Sequence, residues 1–144
     1  MIGVDTNILV AAHRRDHEWH RPAAEKLRAL AEGRAPWMIP WPCVHEFLAV
    51  VTHPRIFRPP STLDQALAQV NAWRESPGLV LAGEPVDYWD ELRECLRAGK
   101  VVGPRVHDAR VATICACNGV SELWTADRDF SALRGVKAVN PFVG

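Results

Sequence analysis

The sequence predicts an α/β fold in which a short, mostly parallel central sheet lies between two layers of helices. Short apolar segments alternate along the 144 residues with longer segments whose apolar residues recur at helical spacing. The short segments are largely apolar, which is typical of strands that helices cover on both faces. These observations favour a three-layer sandwich, and the chain length favours a single domain spanning residues 1–144.

The first part of the chain predicts two strands and three helices. The predicted elements are a strand at 2–4, helices at 7–13 and 20–32, a strand at 36–39 and a helix at 42–52. Asp5 and Thr6 are suited to cap the first helix, and Gly33 is suited to end the second. Pro42 favours the start of the third helix, and Pro54 favours its end.

The middle of the chain predicts a helix, a strand and a second helix. These elements are expected at 63–75, 79–81 and 85–98. Ser61 or Thr62 is suited to cap the first helix, and residues 76–78 (Ser-Pro-Gly) predict the turn that follows it. Pro85 is suited to open the second helix, and Gly99 follows its end.

The last part of the chain predicts two helices and two strands. These elements are expected at 107–118, 122–125, 127–133 and 136–139, with helices first and third. Gly103 and Pro104 interrupt the chain before the longer helix, and Asn118 with Gly119 suits its C-terminal cap. That helix is apolar over much of its length, so we expect it to be buried.

The composition excludes several classes of protein. Lys and Arg together number 17, as do Asp and Glu, and the resulting zero net charge disfavours an extended basic face. We see neither an apolar run near the roughly 20 residues of a membrane helix nor a signal peptide, so we expect a cytoplasmic protein without membrane contact. The four cysteines, Cys43, Cys95, Cys115 and Cys117, are expected to stay reduced and to pack as small apolar residues, because their spacing suits no common zinc site.

Four acidic residues fall at related places on this map. Asp5 and Asp127 directly follow predicted strands, and Asp108 lies in the first turn of the apolar helix. Ligands of open parallel sheets bind beyond the carboxyl ends of the strands, so we expect these acids to face one crevice. Each has an ordinary alternative, because Asp5 and Asp127 suit helix N-caps and Asp108 suits a helix start. Glu46 is harder to explain in this way, since its apolar neighbours predict a largely buried helix.

Four neighbouring carboxylates would repel one another unless a cation joined them. Their mutual repulsion would raise their pKa values, and a hard divalent cation relieves it. Mg²⁺ and Mn²⁺ prefer oxygen ligands and retain several water molecules. Such a cation activates a water and offsets the charge of a phosphate during an in-line displacement. The acid cluster therefore points to metal-assisted phosphodiester chemistry.

Each of the four acids lies within a short motif. The motifs are residues 2–9 (IGVDTNIL), 42–47 (PCVHEF), 107–112 (HDARVA) and 125–130 (TADRDF). In order, spacing and total length they resemble the motifs of PIN-domain nucleases, and the resemblance covers the whole chain. The compact size further resembles the VapC-type toxins of type II toxin–antitoxin systems.

The resemblance implies a Mg²⁺- or Mn²⁺-dependent endoribonuclease. It implies that Asp5 and Asp108 bind the metal directly and that Glu46 binds metal or orients water. Asp127 would be the fourth acid, holding a metal-bound water or a second metal. It further implies a structured RNA substrate such as tRNA or rRNA, a homodimer, and a cognate antitoxin that neutralises the toxin.

Further residues of the motifs would support the acids. By resemblance, Thr6, Asn7 and Thr125 are hydrogen-bonding groups near Asp5 and Asp127. Asp129 is ambiguous, because it could substitute for the fourth acid. The Thr-x-Asp spacing favours Asp127 in that role and Asp129 as a residue that stabilises the short helix.

An RNA substrate also needs positive charge near the acids. Arg110 is the first candidate, and the others are Arg14, Arg15 and Arg105; ordinary solvated surface charges are the alternative for each. The spacing of His13, His17 and His20 fits a metal-binding face of a helix, but nothing in the sequence supplies the rest of such a site.

Two other functions remain open from the sequence. One is a catalytically silent PIN-like module that binds RNA, although the presence of all four acids gives no sign of lost activity. The other is a different metal-dependent phosphohydrolase. A dehalogenase-type phosphatase needs an Asp-x-Asp motif after its first strand, and Asn7 stands where the second Asp would be.

Overall fold

The computed structural model describes residues 1–143 and contains a five-stranded sheet flanked by helices. The strands are β1 (Ile2–Val4), β2 (Trp37–Pro40), β3 (Leu79–Ala82), β4 (Glu122–Trp124) and β5 (Lys137–Val139). The helices are α1 (Thr6–His13), α2 (His20–Glu32), α3 (Trp41–Val51), α4 (Leu63–Arg74), α5 (Tyr88–Gly99) and α6 (Arg105–Cys117). A 3₁₀ helix spans Arg128–Ala132 between β4 and β5. This architecture confirms the predicted α/β fold.

All strand pairs of the sheet are parallel, and the strand order is β3-β2-β1-β4-β5. From β1 the chain moves outward through β2 and β3 and then returns to the other side of β1 to form β4 and β5. The order therefore reverses between β1 and β4, and a crevice is expected beyond the carboxyl ends of these strands. Asp5 follows β1 and Thr125 follows β4, so both lie at this crevice.

The core lies on both faces of the sheet and accounts for the apolar strands. Trp37, Met38 and Ile39 of β2 are almost completely buried, as are Ile8 of α1 and Phe47 of α3. Such burial contributes about 1.5–3 kcal/mol for each large apolar side chain. Among residues 1–143, no helix is both long and apolar enough to cross a membrane.

Two helix starts differ from the sequence prediction. α5 begins at Tyr88 instead of residue 85, because residues 85–88 first form a turn in which the Tyr88 N–H donates to the Pro85 carbonyl at 3.1 Å. α6 begins at Arg105 instead of residue 107, because Pro104 already has helical dihedral angles and is the N-cap; the Val106 N–H donates to the Gly103 carbonyl at 3.0 Å in the turn that leads into the helix. The other bounds agree with the prediction within one residue.

The cysteines are free thiols, as the sequence predicts. Cys43, Cys95 and Cys115 are buried, and Cys117 is partly buried. Over residues 1–143, the one cluster of side chains that could hold a metal consists of carboxylates and includes no cysteine or histidine.

A buried hydrogen-bonded link between β2 and the segment before β3 gives a test of the fold. The Trp37 indole donates to Ser76 Oγ at 3.0 Å, and the Ser76 hydroxyl donates to the Ala31 carbonyl at 2.7 Å. Ser76→Ala would leave both partners unpaired, so we expect a loss of about 1–3 kcal/mol in the free energy of unfolding, measured in urea. Ser131→Ala, which removes an exposed hydroxyl, is the matched control and should cost less than about 0.5 kcal/mol. Equal losses in both proteins would contradict the prediction.

Candidate metal-binding site

Asp5 is a buried carboxylate held by four hydrogen-bond donors at the end of β1. Its Oδ1 accepts the Thr6 backbone N–H at 2.8 Å and the Cys43 thiol at 3.5 Å. Its Oδ2 accepts the Thr125 hydroxyl at 2.7 Å and the Asn7 amide at 3.2 Å. Asp5 is also the N-cap of α1, so its capping role and a role in a metal site are compatible. The four donors fix the orientation of the carboxylate.

Asn7 and Thr125 join the ends of β1 and β4. The Asn7 amide donates to Thr125 Oγ1 at 3.1 Å, and its carbonyl oxygen accepts the Ala126 N–H at 3.0 Å. Thr125 Oγ1 also accepts the Asp127 N–H at 3.0 Å. The motifs after the two strands thus form one hydrogen-bonded unit, which places Asp127 beside Asp5.

Asp108, Asp127 and Asp129 form an acidic cluster. One carboxylate oxygen from each lies within 4.8 Å of the others. Asp127 caps the 3₁₀ helix by accepting the Asp129 N–H at 2.9 Å. The sequence favoured Asp129 as a residue that stabilises this helix, whereas the structure makes Asp127 its cap and also brings the Asp129 carboxylate to the cluster.

Glu46 is an exposed residue of α3 that faces the same crevice. The sequence predicted a helix buried on much of its circumference, and Glu46 lies where that helix meets the open cavity. The buried face of α3 consists of Cys43, Val44, Phe47 and Val51, and Glu46 lies outside it. A carboxylate at the edge of that face reaches solvent, which explains how the helix accommodates it.

One cavity of about 350 Å³ brings the four predicted acids together. Asp5, Glu46, Asp108 and Asp127 all line it, together with Thr6 and Asn7. They arrive from the ends of β1 and β4 and from α3 and α6, as expected for a crevice at a reversal of strand order.

Burial and mutual repulsion shift the titration of three of these acids. The pKa of Asp5 is raised by burial, despite hydrogen bonds from Thr125, Thr6 and Cys43 that lower it. Although Glu46 is exposed, its carboxyl is partly desolvated in the cavity, which raises its pKa, and the charges of Asp5 and Asp108 raise it further. The pKa of Asp108 is raised by burial and then by Asp127, Asp5 and Asp129. At neutral pH the site therefore concentrates negative charge that a cation would stabilise.

The residues of the cavity fit a hard divalent cation. The four acids offer carboxylate oxygens, the metal ligands that Mg²⁺ and Mn²⁺ prefer. The cavity is large enough for a cation that retains water. Thr6 also lines the cavity, and its buried hydroxyl has no hydrogen-bond partner within residues 1–143. Such an orphaned polar group suits a site that takes a further polar ligand.

None of the four arginines predicted to bind RNA lines the acid cavity. Arg110 lies two residues after Asp108, about 200° around the helix, and its side chain pairs with Glu84 at 2.8 Å outside the cavity. Arg14 is occupied by Asp16 at 2.7 Å. Arg105 lies close enough to Asp108 to lower its pKa in part. Arg15 is exposed and lines a second hollow, between α2 and α4.

Sequence reasoning missed several residues of the cavity. They are His17 and five apolar residues, Val10, Val50, Ile56, Phe57 and Val111; His107, which the sequence places beside Asp108 in its motif, also lines the cavity. The metal-binding helix face of His13, His17 and His20 does not exist, because His13 ends α1, His20 begins α2 and His17 lies between them. The sequence could have predicted Val50 and Val111. Val50 lies four residues after Glu46 and Val111 three residues after Asp108, so each shares a helix face with an acid of the cavity.

Comparisons with known proteins agree with this architecture. A family model described as the PIN domain matches residues 2–136. Ribonuclease VapC25 of Mycobacterium tuberculosis is 30% identical over 144 residues, covering 98% of this chain and 99% of the relative. The solved structure of M. tuberculosis VapC20, a toxin described as cleaving the sarcin–ricin loop, matches with a TM-score of 0.66 at 21% identity, over 95% of this chain and 99% of that one.

A second solved structure is a complex. VapBC2 from Rickettsia felis, bound to a DNA fragment from its promoter, matches with a TM-score of 0.65 at 18% identity, over 96% of this chain and 98% of the matched chain. At 18% and 21% identity the two solved structures support the fold alone. The family relationship rests on the PIN-domain model and on VapC25, both of which match over nearly the whole chain.

Proposed function

Because the chain belongs to the PIN-domain family and to its VapC ribonucleases, we propose that it is an endoribonuclease toxin that cuts structured RNA with Mg²⁺ or Mn²⁺. The observation that carries the proposal is the cavity in which Asp5, Glu46, Asp108 and Asp127 converge. A cluster of oxygen ligands that repel one another in the absence of a cation suits metal-assisted hydrolysis of a phosphodiester.

The acids take different parts in this proposal. Asp5 and Asp108 hold the cation directly, Glu46 completes the set or orients water, and Asp127 holds a water or a second cation. When bound, the cation supplies Lewis-acid activation of water and offsets charge on the phosphate. Asp5 is suited to the fixed ligand position, because its four donors hold the carboxylate in one orientation. Glu46 is exposed, so its carboxylate is accessible to a water.

The neighbouring hydrogen-bonding groups orient the ligands. Thr6, Asn7 and Thr125 contact Asp5 or each other, and Thr125 also accepts the Asp127 N–H. Asp129 adds a carboxylate close to Asp108 and Asp127. Groups of this kind fix a ligand in the geometry that a cation needs, and their loss commonly weakens metal binding by about 10–100-fold.

The partners of the toxin follow from the same premise. We propose an antitoxin that covers the acid cavity, with support from the VapBC complex among the similar structures. The substrate is a structured RNA, tRNA or rRNA, with support from VapC20, which is described as cleaving the sarcin–ricin loop. The protein acts in the cytoplasm. A homodimer is supported by the exposed apolar residues Trp89 and Val86.

The direct test is cleavage of total bacterial RNA by the purified protein. The reactions contain Mg²⁺, Mn²⁺ or EDTA, and the 5′ ends of the products are mapped by sequencing. We expect discrete cuts with either cation and none with EDTA. Equal cutting in EDTA would contradict a metal-dependent enzyme, and the absence of cutting with both cations across tRNA and rRNA would contradict the proposed substrate class.

The hydroxyl of Thr125 offers a test that does not depend on cleavage. Thr125→Val should weaken Mn²⁺ binding about 10–100-fold, because Asp5 Oδ2 loses its shortest hydrogen bond while side-chain shape is kept. Isothermal titration calorimetry measures the dissociation constant. Thr52→Val is the matched control, since its hydroxyl bonds the Leu48 carbonyl at 2.7 Å, and it should leave Mn²⁺ affinity unchanged. An unchanged affinity in Thr125→Val would argue against Asp5 as a ligand.

A further inference from the structure

The cavity that holds the acids also has an apolar part, which cation binding does not use. Val10 of α1, Val50 of α3 and Val111 of α6 line it, each further along its helix than the polar residues at the crevice. Ile56 and Phe57, from the segment after α3, complete this part of the lining. We refer to these five residues as the apolar wall. Ile56 is 53% exposed, so part of its apolar surface is accessible to a ligand in the cavity.

The ring of Phe57 in this wall packs against a fixed cation. The Arg14 guanidinium carbon lies 4.3 Å from the centroid of the Phe57 ring. Arg14 is itself held by Asp16 at 2.7 Å, by the Pro59 carbonyl at 3.0 Å and by Ser61 Oγ at 3.2 Å. A cation over an aromatic ring restrains it, so Phe57 is held in place where it lines the cavity. The structure thus provides an aromatic surface before any ligand arrives.

His17 adds one directed hydrogen-bond donor. Its Nδ1 accepts the Trp19 backbone N–H at 3.0 Å, so the neutral ring carries its proton on Nε2. His17 lines the cavity, and no partner for Nε2 occurs within residues 1–143. A planar group that packs on Phe57 and offers an acceptor on its edge would use both residues.

We propose that the apolar wall binds one unpaired nucleobase of the RNA beside the phosphodiester that is cut, and thereby sets the base preference of cleavage. This inference rests on the proposed ribonuclease function. Bases of single-stranded RNA are recognised by stacking on aromatic side chains and by hydrogen bonds to their edges, which Phe57 and His17 supply. The cavity of about 350 Å³ lies at the lower end of small-ligand sites, about 300–1,000 Å³, and so fits one nucleotide.

The experiment combines a change in the RNA with a change in the protein. A short RNA containing a mapped cut site is made with an abasic nucleotide at each position around the cut, and kcat/KM is measured for each. With the unchanged protein, one abasic position next to the cut should lower kcat/KM about 10-fold or more. With Phe57→Leu, an abasic nucleotide at the same position should lower kcat/KM less than about 3-fold, because the aromatic face that stacks on the base is already lost.

Two further variants separate stacking from recognition of the base edge. Phe57→Trp keeps an aromatic face and should restore the abasic penalty. His17→Ala should keep that penalty but reduce the difference in kcat/KM among the four bases at the position. Leu63→Ala, the loss of an exposed apolar side chain at the start of α4 outside the cavity, should behave as the unchanged protein. Thermal melting of each variant verifies folding, and if Phe57→Leu does not fold, His17→Ala and Phe57→Trp still test the site.

The outcomes distinguish this inference from the function on which it rests. If the unchanged protein cuts no RNA, the proposed function is overturned and the nucleobase site with it. If it cuts RNA but no abasic position matters, or if the penalty is the same in Phe57→Leu, the nucleobase site alone is overturned. In that case the wall serves packing or a protein partner instead.

Discussion

RNA cleavage by Asp5→Asn and by Asp108→Asn is expected to fall at least about 1,000-fold in kcat/KM, with the RNA-cutting assay as the measurement. A cation that offsets charge on a phosphate contributes several kcal/mol to the transition state, and about 4 kcal/mol corresponds to that factor. Asp5 contributes the most tightly held carboxylate of the site, and Asp108 lies in the acidic cluster with Asp127. An amide at either position keeps the shape but not the charge.

Asp5→Asn and Asp108→Asn both remove a charge from the proposed cation site, but they disturb the neighbouring hydrogen bonds to different extents. The Asp5 amide would point a donor at the Thr125 and Asn7 groups that now donate to Oδ2, so its neighbours must rearrange. No side-chain hydrogen bond of Asp108 occurs within residues 1–143, so its variant isolates the charge. Asp64→Asn, in the exposed first turn of α4, is the matched control and should retain full activity. Cutting that persists in both variants would place the chemistry elsewhere.

The convergence of the acids was predictable because it follows from topology. A parallel sheet brings the carboxyl ends of its strands to one edge, so residues directly after β1 and β4 meet whatever their side chains are. Asp5 and Asp127 could therefore be assigned to one crevice from their places after apolar segments. Asp108 could be assigned to the crevice in the same way, because it lies in the first turn of α6, which starts at that edge.

The rest of the site depends on directions that the sequence does not encode. Arg110 lies close to Asp108 in sequence, but the helical rotation between them turns it toward Glu84. Ile56 and Phe57 lie in a proline-rich loop, where no periodicity predicts which side chains face inward. Arg14 has a basic side chain suited to RNA, but its position between Asp16 and Phe57 makes it a support for the wall. These features depend on tertiary packing, which the local sequence pattern does not determine.

Addition of Mg²⁺ is expected to stabilise the protein at neutral pH by about 2.7 kcal/mol when the cation is present at about 100 times its dissociation constant. For a chain of this size that corresponds to a rise of roughly 5–10 °C in Tm, measured by calorimetry. The pH sets the size of this effect. The pKa values of Asp5, Glu46 and Asp108 are raised by folding, so their contribution to stability is present below about pH 4 and is lost as they ionise at higher pH. Mg²⁺ binds the ionised forms, so its stabilisation should be large at pH 7.5 and small near pH 4.

Asp108→Asn separates the repulsion among the acids from other effects of pH. Without metal, this variant should match or exceed the stability of the unchanged protein at pH 7.5, because one charge is removed from the cluster. That advantage should shrink as the pH falls, because the raised pKa of Asp108 lets its carboxyl take up a proton at a higher pH than an ordinary aspartate does. The variant should also lose most of the Mg²⁺-induced rise in Tm, whereas Glu32→Gln, an exposed change at the end of α2, should retain it. A rise of equal size in Asp108→Asn would mean that the stabilising cation binds elsewhere.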